Sequence, residues 1–580
     1  VGEFSSQCLA TIAWAFGTVK AHHHAVFSSF ARELAVVAPS MATQGIANTV
    51  WAFARVRRQE TQLFRALADA ACRDHMVTTF KTQELSNTAW AFAKCGLWNE
   101  QLVNAIVGGC LSKMATFTPA SLSHCSWAMA EWGTRNDTLM NAIADEAIRK
   151  THEFSSAPLA MTAWSFASLQ LQHIGLMSSV SRRVVEKISD FKTPDFAHLA
   201  WAFANLRIQD QVLFNAIAIE VQRDIAGTMP AELANIAWAF SKNNFTNEDL
   251  MVVIAKEASS QIKNFKAAEV AMLTWAFAVA GLQNKQLMTE IGAQVSKRID
   301  SFTAPQLSHI VWAFGALSLK HAEFLQSLSQ HVRTSIPAFK AQGLSNIAWA
   351  FAMVNFRDKD LIRRVAPEIA RDASDLRPLA LARCAWAYRI LAVPSPGLTE
   401  AISIEAAKKL DDFPTKALVK LVDSIYGSPA AKTCDRIHQT LTARMLQLAS
   451  ILKSQWKTAA SIRPDATAEY AQQLANLSLV DCGTFGTPLL LSQLGVNLPS
   501  LAFMKRCRSK AWLKKPDVGR TCDGDAASSS AEPAASPPRS SASAAARADE
   551  KEQWAAAEAE LTIGEKTTMH EWVVRFQDQP

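Results

Sequence analysis

Apolar positions in this chain fall on two helical faces, and the pair of faces returns about every 37 residues. The stretch LANIAWAF at 233–240 shows the first face. Around Trp201, residues five and two before the Trp and two after it (Phe196, Leu199, Phe203) form one stripe of a helical wheel. Small residues four and one before it and three after it (Ala197, Ala200, Ala204) form a second stripe beside the first. Twelve residues after each Trp comes another apolar side chain, from Val26 and Leu63 to Leu361 and Leu398, usually with a partner four further on. That i,i+4 pair belongs to a second amphipathic helix, so each unit reads helix, turn, helix.

Eleven units carry the tryptophan, from Trp14 to Trp386, at intervals of 37 residues with one of 39 between Trp51 and Trp90. A constant interval of this length marks a helical array, in which each unit buries its apolar face against its neighbours. The expected fold is all-α, a right-handed α-solenoid of tandem 37-residue helix-turn-helix repeats. Small residues let the helices approach closely, with Trp and Phe filling the margins, so the Trp series reads as packing. Prolines six to eight residues before the Trp, such as Pro119, Pro158 and Pro194, suit a first helical turn. Thr118, Ser156 and Thr193 are the candidate caps.

The pattern divides the chain. Residues 1–412 hold the eleven clear repeats, and 413–500 hold degenerate copies, beginning with Phe413 in phase and Asp423 where a Trp is due. QLANLSLVDCG at 473–483 is a later echo. A basic segment follows at 501–520, then an Ala/Ser/Pro-rich linker at 521–550 that reads as disorder, then an acidic tail at 551–580 with a possible short helix. The chain opens almost inside a repeat at Val1, so further sequence upstream is expected.

Charge follows that division. The formal net charge is +7, yet residues 521–580 carry eleven acidic and five basic side chains, leaving +13 on residues 1–520. A modestly basic array can attract a polyanion without identifying one. Mean hydropathy is high at +0.03, but polar residues break every apolar run before about 18 residues, so no membrane insertion is expected. Ten cysteines lack CxxC or metal-like spacing, and Cys95, Cys125 and Cys384 read as buried free thiols on repeat helices. No catalytic, metal or cofactor motif appears: GxxxxGK[ST], GxSxG and HExxH are all absent. A non-enzymatic protein without cofactor is expected.

Binding positions should lie off the packing stripes and vary between copies. The residue three before each Trp does so: Thr11, Asn48, Asn87, His124, Met161, His198, Asn235, Met272, His309, Asn346 and Arg383. Its polar members either read a ligand from rigidly spaced helices or form a hydrogen-bonded ladder between units. Four residues after the Trp, Arg55, Lys94, Glu131, Asn205 and Lys242 form a neighbouring row. Arg57, Arg58, Lys150, Arg182, Arg183, Arg207, Lys297, Arg298, Arg363 and Arg364 are candidate phosphate contacts, with solvated faces as the alternative.

QELSNTAWAFAKCG at 83–96 and QGLSNIAWAFAMV at 342–354 resemble the heptatricopeptide and octotricopeptide repeats of organellar RNA-binding proteins, related to RAP-domain and FAST-kinase-like leucine-rich families. The resemblance covers about residues 4–446 and carries no convincing RAP domain. It implies binding of single-stranded organellar mRNA or rRNA in support of processing, stability or translation, with ribosomal or RNA-processing proteins as partners. The matching RNA-contact residues are Asn48, Asn87, His124, His198, Asn235, His309, Asn346 and Arg383. The implied location is the mitochondrion, with the chloroplast as alternative. The rival reading is a protein-binding scaffold or structural subunit of an organellar ribonucleoprotein or ribosome.

Overall fold

A computed structural model describes residues 4–20, 23–245 and 247–426. These residues form 23 α-helices joined by turns and short 3₁₀ segments, with no strand among them. They fall into two compact units that divide in the chain between Leu328 and Ser329. The first unit holds repeats one to eight and the Trp-bearing helix of repeat nine. The second holds repeats ten and eleven and a helix of the twelfth copy, Thr415–Tyr426. The basic segment, the linker, the acidic tail and the echo at 473–483 lie outside the described residues.

Within each unit, Trp-bearing helices of consecutive repeats pack side by side, and so do the second helices. Both units are thus α-solenoids of tandem helix pairs. The Trp-bearing helix is 13 residues long in every copy, as in Thr43–Arg55, Thr193–Asn205 and Pro230–Lys242. Its length is set at the far end. Six residues after each Trp the backbone turns left-handed, at Gly96, Gly133 and Gly281 but also at Arg57, Gln170, Arg207 and Ala392. The next N–H then reaches back to the carbonyl two residues after the Trp, as in Arg58 to Phe53 and Ile208 to Phe203, both 2.9 Å. This closure satisfies carbonyls the helix end would leave orphaned.

Starts of the Trp-bearing helices differ from expectation in detail. Thr118 caps its helix by accepting from the Ser121 N–H at 3.2 Å. Ser156 and Thr193 do not cap, because the caps fall one residue earlier at Ser155 and Lys192. Thr193 Oγ1 instead donates to the Asp224 carbonyl, and Asp195 accepts from the Lys192 N–H at 3.1 Å.

Second helices have a regular cap nine residues after the Trp. Asn99, Asn136, His173, Asp210, Asn247, Asn284, His321 and Asp358 each accept from an N–H three residues on, at 2.9–3.2 Å. At the other end, a residue 23 after the Trp latches the loop that precedes its own repeat. Lys113 donates to the Thr78 and Phe80 carbonyls, Lys150 to Ala115 and Phe117, and Lys409 to Ser374 and Leu376. Gln261 and Arg298 repeat the contact at Thr228 and Phe265.

The core lies between the two helix layers. The Phe two after the Trp meets an aromatic ring of the preceding second helix edge-on, with centroids 5.1 Å apart for Phe27–Phe53, 5.0 Å for Phe64–Phe92 and 4.9 Å for Phe214–Phe240. Where Tyr388 replaces that Phe, its buried hydroxyl donates to the Ile362 carbonyl at 2.9 Å. Cys95, Cys125 and Cys384 are buried free thiols, as expected. Burial pushes Cys95 and Cys384 up to about 12.

Two helical glycines test how tightly the layers fit. A Cβ at Gly108 would meet nothing within 4 Å, whereas one at Gly292 would come within 2.6 Å of the His321 ring. That ring is held by its cap bond to the Phe324 N–H and by Phe314, so it cannot simply swing away. Gly108→Ala is expected to stabilise by about 0.5–1 kcal/mol through helix propensity. Gly292→Ala is expected to destabilise by about 1–3 kcal/mol through overpacking. Urea midpoints moving the same way in both variants would contradict this packing.

Candidate functional site

The variable row belongs to the Trp-bearing helices, and those helices decide what it can do. At three positions the variable residue meets the indole of the preceding repeat. The His124 ring lies 6.0 Å from Trp90, His198 lies 6.5 Å from Trp164, and the Arg383 guanidinium lies 5.2 Å over Trp349. All eight expected contact residues, Asn48, Asn87, His124, His198, Asn235, His309, Asn346 and Arg383, are half-buried. They are neither sealed in the helix contacts nor fully in solvent.

Beneath the row the indoles form a ladder. Trp90–Trp127, Trp164–Trp201, Trp201–Trp238 and Trp238–Trp275 lie 6.0–6.5 Å apart, tilted by 28–36°. Six of the eleven repeat tryptophans are buried, but Trp51, Trp90, Trp275 and Trp386 are half-buried and Trp14 is exposed. The Trp series is packing first, as expected, and in places also surface.

Hydrogen bonding separates two readings of the row. A structural ladder along this row needs its amides bonded from repeat to repeat, and the bond that Asn346 makes is instead inside one helix, its Oδ1 accepting from Gln342 Nε2 at 3.1 Å. Among the described residues, Asn48, Asn87 and Asn235 carry no side-chain hydrogen bond. Burial lowers the pKa of His124 and His198 below the usual 6.5, with Asp195 opposing weakly at His198. Both rings are therefore neutral at neutral pH, each with one donor and one acceptor. At these two positions the row offers hydrogen bonds more than charge.

Several expected phosphate contacts are structural. Lys150 and Arg298 are the latches described above. Arg58 binds Ser28 and Glu60, Arg183 donates to the His152 carbonyl, and Arg364 pairs with Asp360. Asn205, in the row four after the Trp, donates to the Ala167 carbonyl at 2.8 Å. Lys94 in that row sits 5.5 Å over Trp127, and Arg55 lies 5.8 Å over its own Trp51. No sequence pattern distinguished Lys94 from Asn205. The capping and latching positions were also missed, although their recurrence at fixed offsets from the Trp was a readable signal.

Among the described residues there is no group of three or more His, Cys, Asp or Glu side chains able to hold a metal ion. No described helix is long and apolar enough to cross a membrane.

Helix pairs at constant spacing, with variable half-buried side chains along one layer, define a helical-repeat protein of the α-solenoid class. The particular family follows from the sequence match. The family model for the RNA-editing substrate-binding complex 6 protein matches residues 2–189 and 175–410, more than half of the chain, and the chain belongs to that family. No curated protein matches it. This corrects the resemblance to heptatricopeptide and octotricopeptide repeats and to the RAP and FAST-kinase-like families. Small residues beside Trp and Phe suit closely stacked helices, so the repeated phrase by itself does not single out one family of helical repeats.

Proposed function

We propose that this chain is a scaffold subunit of an organellar ribonucleoprotein handling RNA-editing substrates, and that it holds protein partners along its repeats. Beyond the family's printed description, one structural observation supports this reading. Ile174, Val212, Ile219 and Val252, on the second helices of consecutive repeats five to seven, are 77%, 66%, 65% and 62% exposed. Aliphatic side chains left in water on adjacent helices fit a protein contact better than a phosphate backbone. The mitochondrion is the proposed compartment.

A second reading, RNA contact on the Trp-bearing face, is favoured by the spare amides of Asn48, Asn87 and Asn235. Crosslinking in the native compartment, with and without ribonuclease, separates the two. The scaffold reading expects protein partners to survive ribonuclease and to be lost in a Val212→Glu/Ile219→Glu variant. Melting should be unchanged, because surface substitutions rarely exceed about 0.5 kcal/mol. Partners that vanish with the RNA would count against it.

A further inference from the structure

On the Trp-bearing face of repeats three to six an open recess of about 220 Å³ is lined by Trp90, Lys94, Trp127, Met161, Trp164 and His198. We propose that this recess takes a single unpaired nucleobase of an RNA strand, with the adjoining phosphate on Lys94. The proposal rests on the RNA-contact reading above and adds to it a position and a mode of contact.

Size, shape and charge lead there. Pockets for drug-sized ligands span roughly 300–1,000 Å³, so this smaller space suits one planar ring system, with the sugar and phosphate left outside. Its floor is aromatic: Trp90 is half-buried, and its ring lies 6.3 Å from that of Trp127 at 36°. Trp127 and Trp164 are 6% and 3% exposed, so Trp90 offers the larger open ring surface. Base–indole stacking tolerates any sequence because every base has a π-face. Met161 supplies a soft apolar wall. Neutral His198, 6.5 Å from Trp164, can exchange hydrogen bonds with a base edge.

Lys94 decides between guests. Its ammonium lies 5.5 Å from the Trp127 ring and makes no ion pair among the described residues. A cationic side chain from a protein partner is the usual guest of an indole surface. Here it would meet a like charge that no ion pair holds among the described residues. A phosphate would cancel it. The occupant that satisfies floor and rim together is flat, uncharged in the ring and anionic in its tether.

The test uses the full chain and a labelled 14-nucleotide single-stranded RNA of randomised sequence, with binding followed by anisotropy across a salt series. Lys94→Ala is expected to weaken binding about three- to tenfold. It should also reduce the slope of log K against log salt by about 0.7, the share of one phosphate on a single strand. Lys94→Arg should restore both. Trp90→Leu should weaken binding roughly five- to hundredfold, in the range of one lost stacking contact. Because Trp90→Leu also touches the packing, Lys94→Ala, at a half-buried residue that makes no ion pair among the described residues, carries the decision. Wild-type affinity and slope in Lys94→Ala, with crosslinks mapping to other repeats, would overturn the site and leave RNA contact standing. A protein partner bound more tightly by Lys94→Ala than by wild type would overturn it in favour of a cationic guest. Failure of the unaltered chain to bind the RNA at low salt would remove the RNA-contact reading itself.

Discussion

Replacing Phe240 by alanine is expected to lower the unfolding free energy by about 3–5 kcal/mol, the range for emptying a packed phenylalanine site. Phe240 is 2% exposed and meets Phe214 of the preceding repeat edge-on. Both rings lie in the core between the two helix layers, 0% and 2% exposed, so a cavity there has little room to collapse. In a linear array stability is a sum of unit and neighbour terms, and this substitution removes part of a neighbour term. Loss of amide-exchange protection should spread from Pro230–Lys242 to Gln211–Arg223 before it reaches distant repeats. Phe16, half-buried in repeat one, is the comparison. Phe16→Ala should have the smaller effect, and equal losses in the two variants would argue that Phe240 packs no better than the half-buried Phe16.

Asp358→Ala is expected to destabilise the second unit by about 3 kcal/mol, through several losses at one site. The carboxylate caps Lys359–Arg371 by accepting from the Leu361 N–H at 3.1 Å. It also accepts from Ser329 Oγ and from Arg333 at 2.6 Å. Its side chain is 14% exposed and that of Arg333 is 32% exposed. Loss of a cap is worth about 1 kcal/mol, and a hydrogen bond to a charged group about 1.5–3. Exposure of the guanidinium keeps the total near the lower end of that sum. Asp358→Asn keeps an oxygen for the cap and should lose only about half as much. Amide exchange in Lys359–Arg371, with a double-mutant cycle against Arg333→Ala, measures the coupling. A coupling below about 0.5 kcal/mol would show that Asp358 acts as a cap alone.

The difference between Asp358 and Asn247 shows how far sequence reasoning reaches here. Both stand nine residues after a Trp, and both cap the second helix. Position and period alone predict that shared role. The link from Asp358 to Ser329 and Arg333 depends on which side chains the preceding repeat presents, and those lie 29 and 25 residues away in the chain. The basic residues behave similarly. Lys150 and Lys94 are both lysines at helix ends. One is spent on carbonyls across a loop, and the other lies over an indole without an ion pair among the described residues. Composition cannot tell them apart.

For this protein the sequence by itself determined the helix pairs, their period, the core stripes and the row of variable side chains. Those follow from local propensity and from apolar spacing, which repeat eleven times and so average out any single exception. Only the tertiary structure decided that His124, His198 and Arg383 lie against the preceding repeat's indoles, that burial lowers the pKa of the two imidazoles and that Asn48, Asn87 and Asn235 make no side-chain hydrogen bond among the described residues. Each of these depends on distance and burial between residues about 34 positions apart, quantities set by how one repeat stacks on the next.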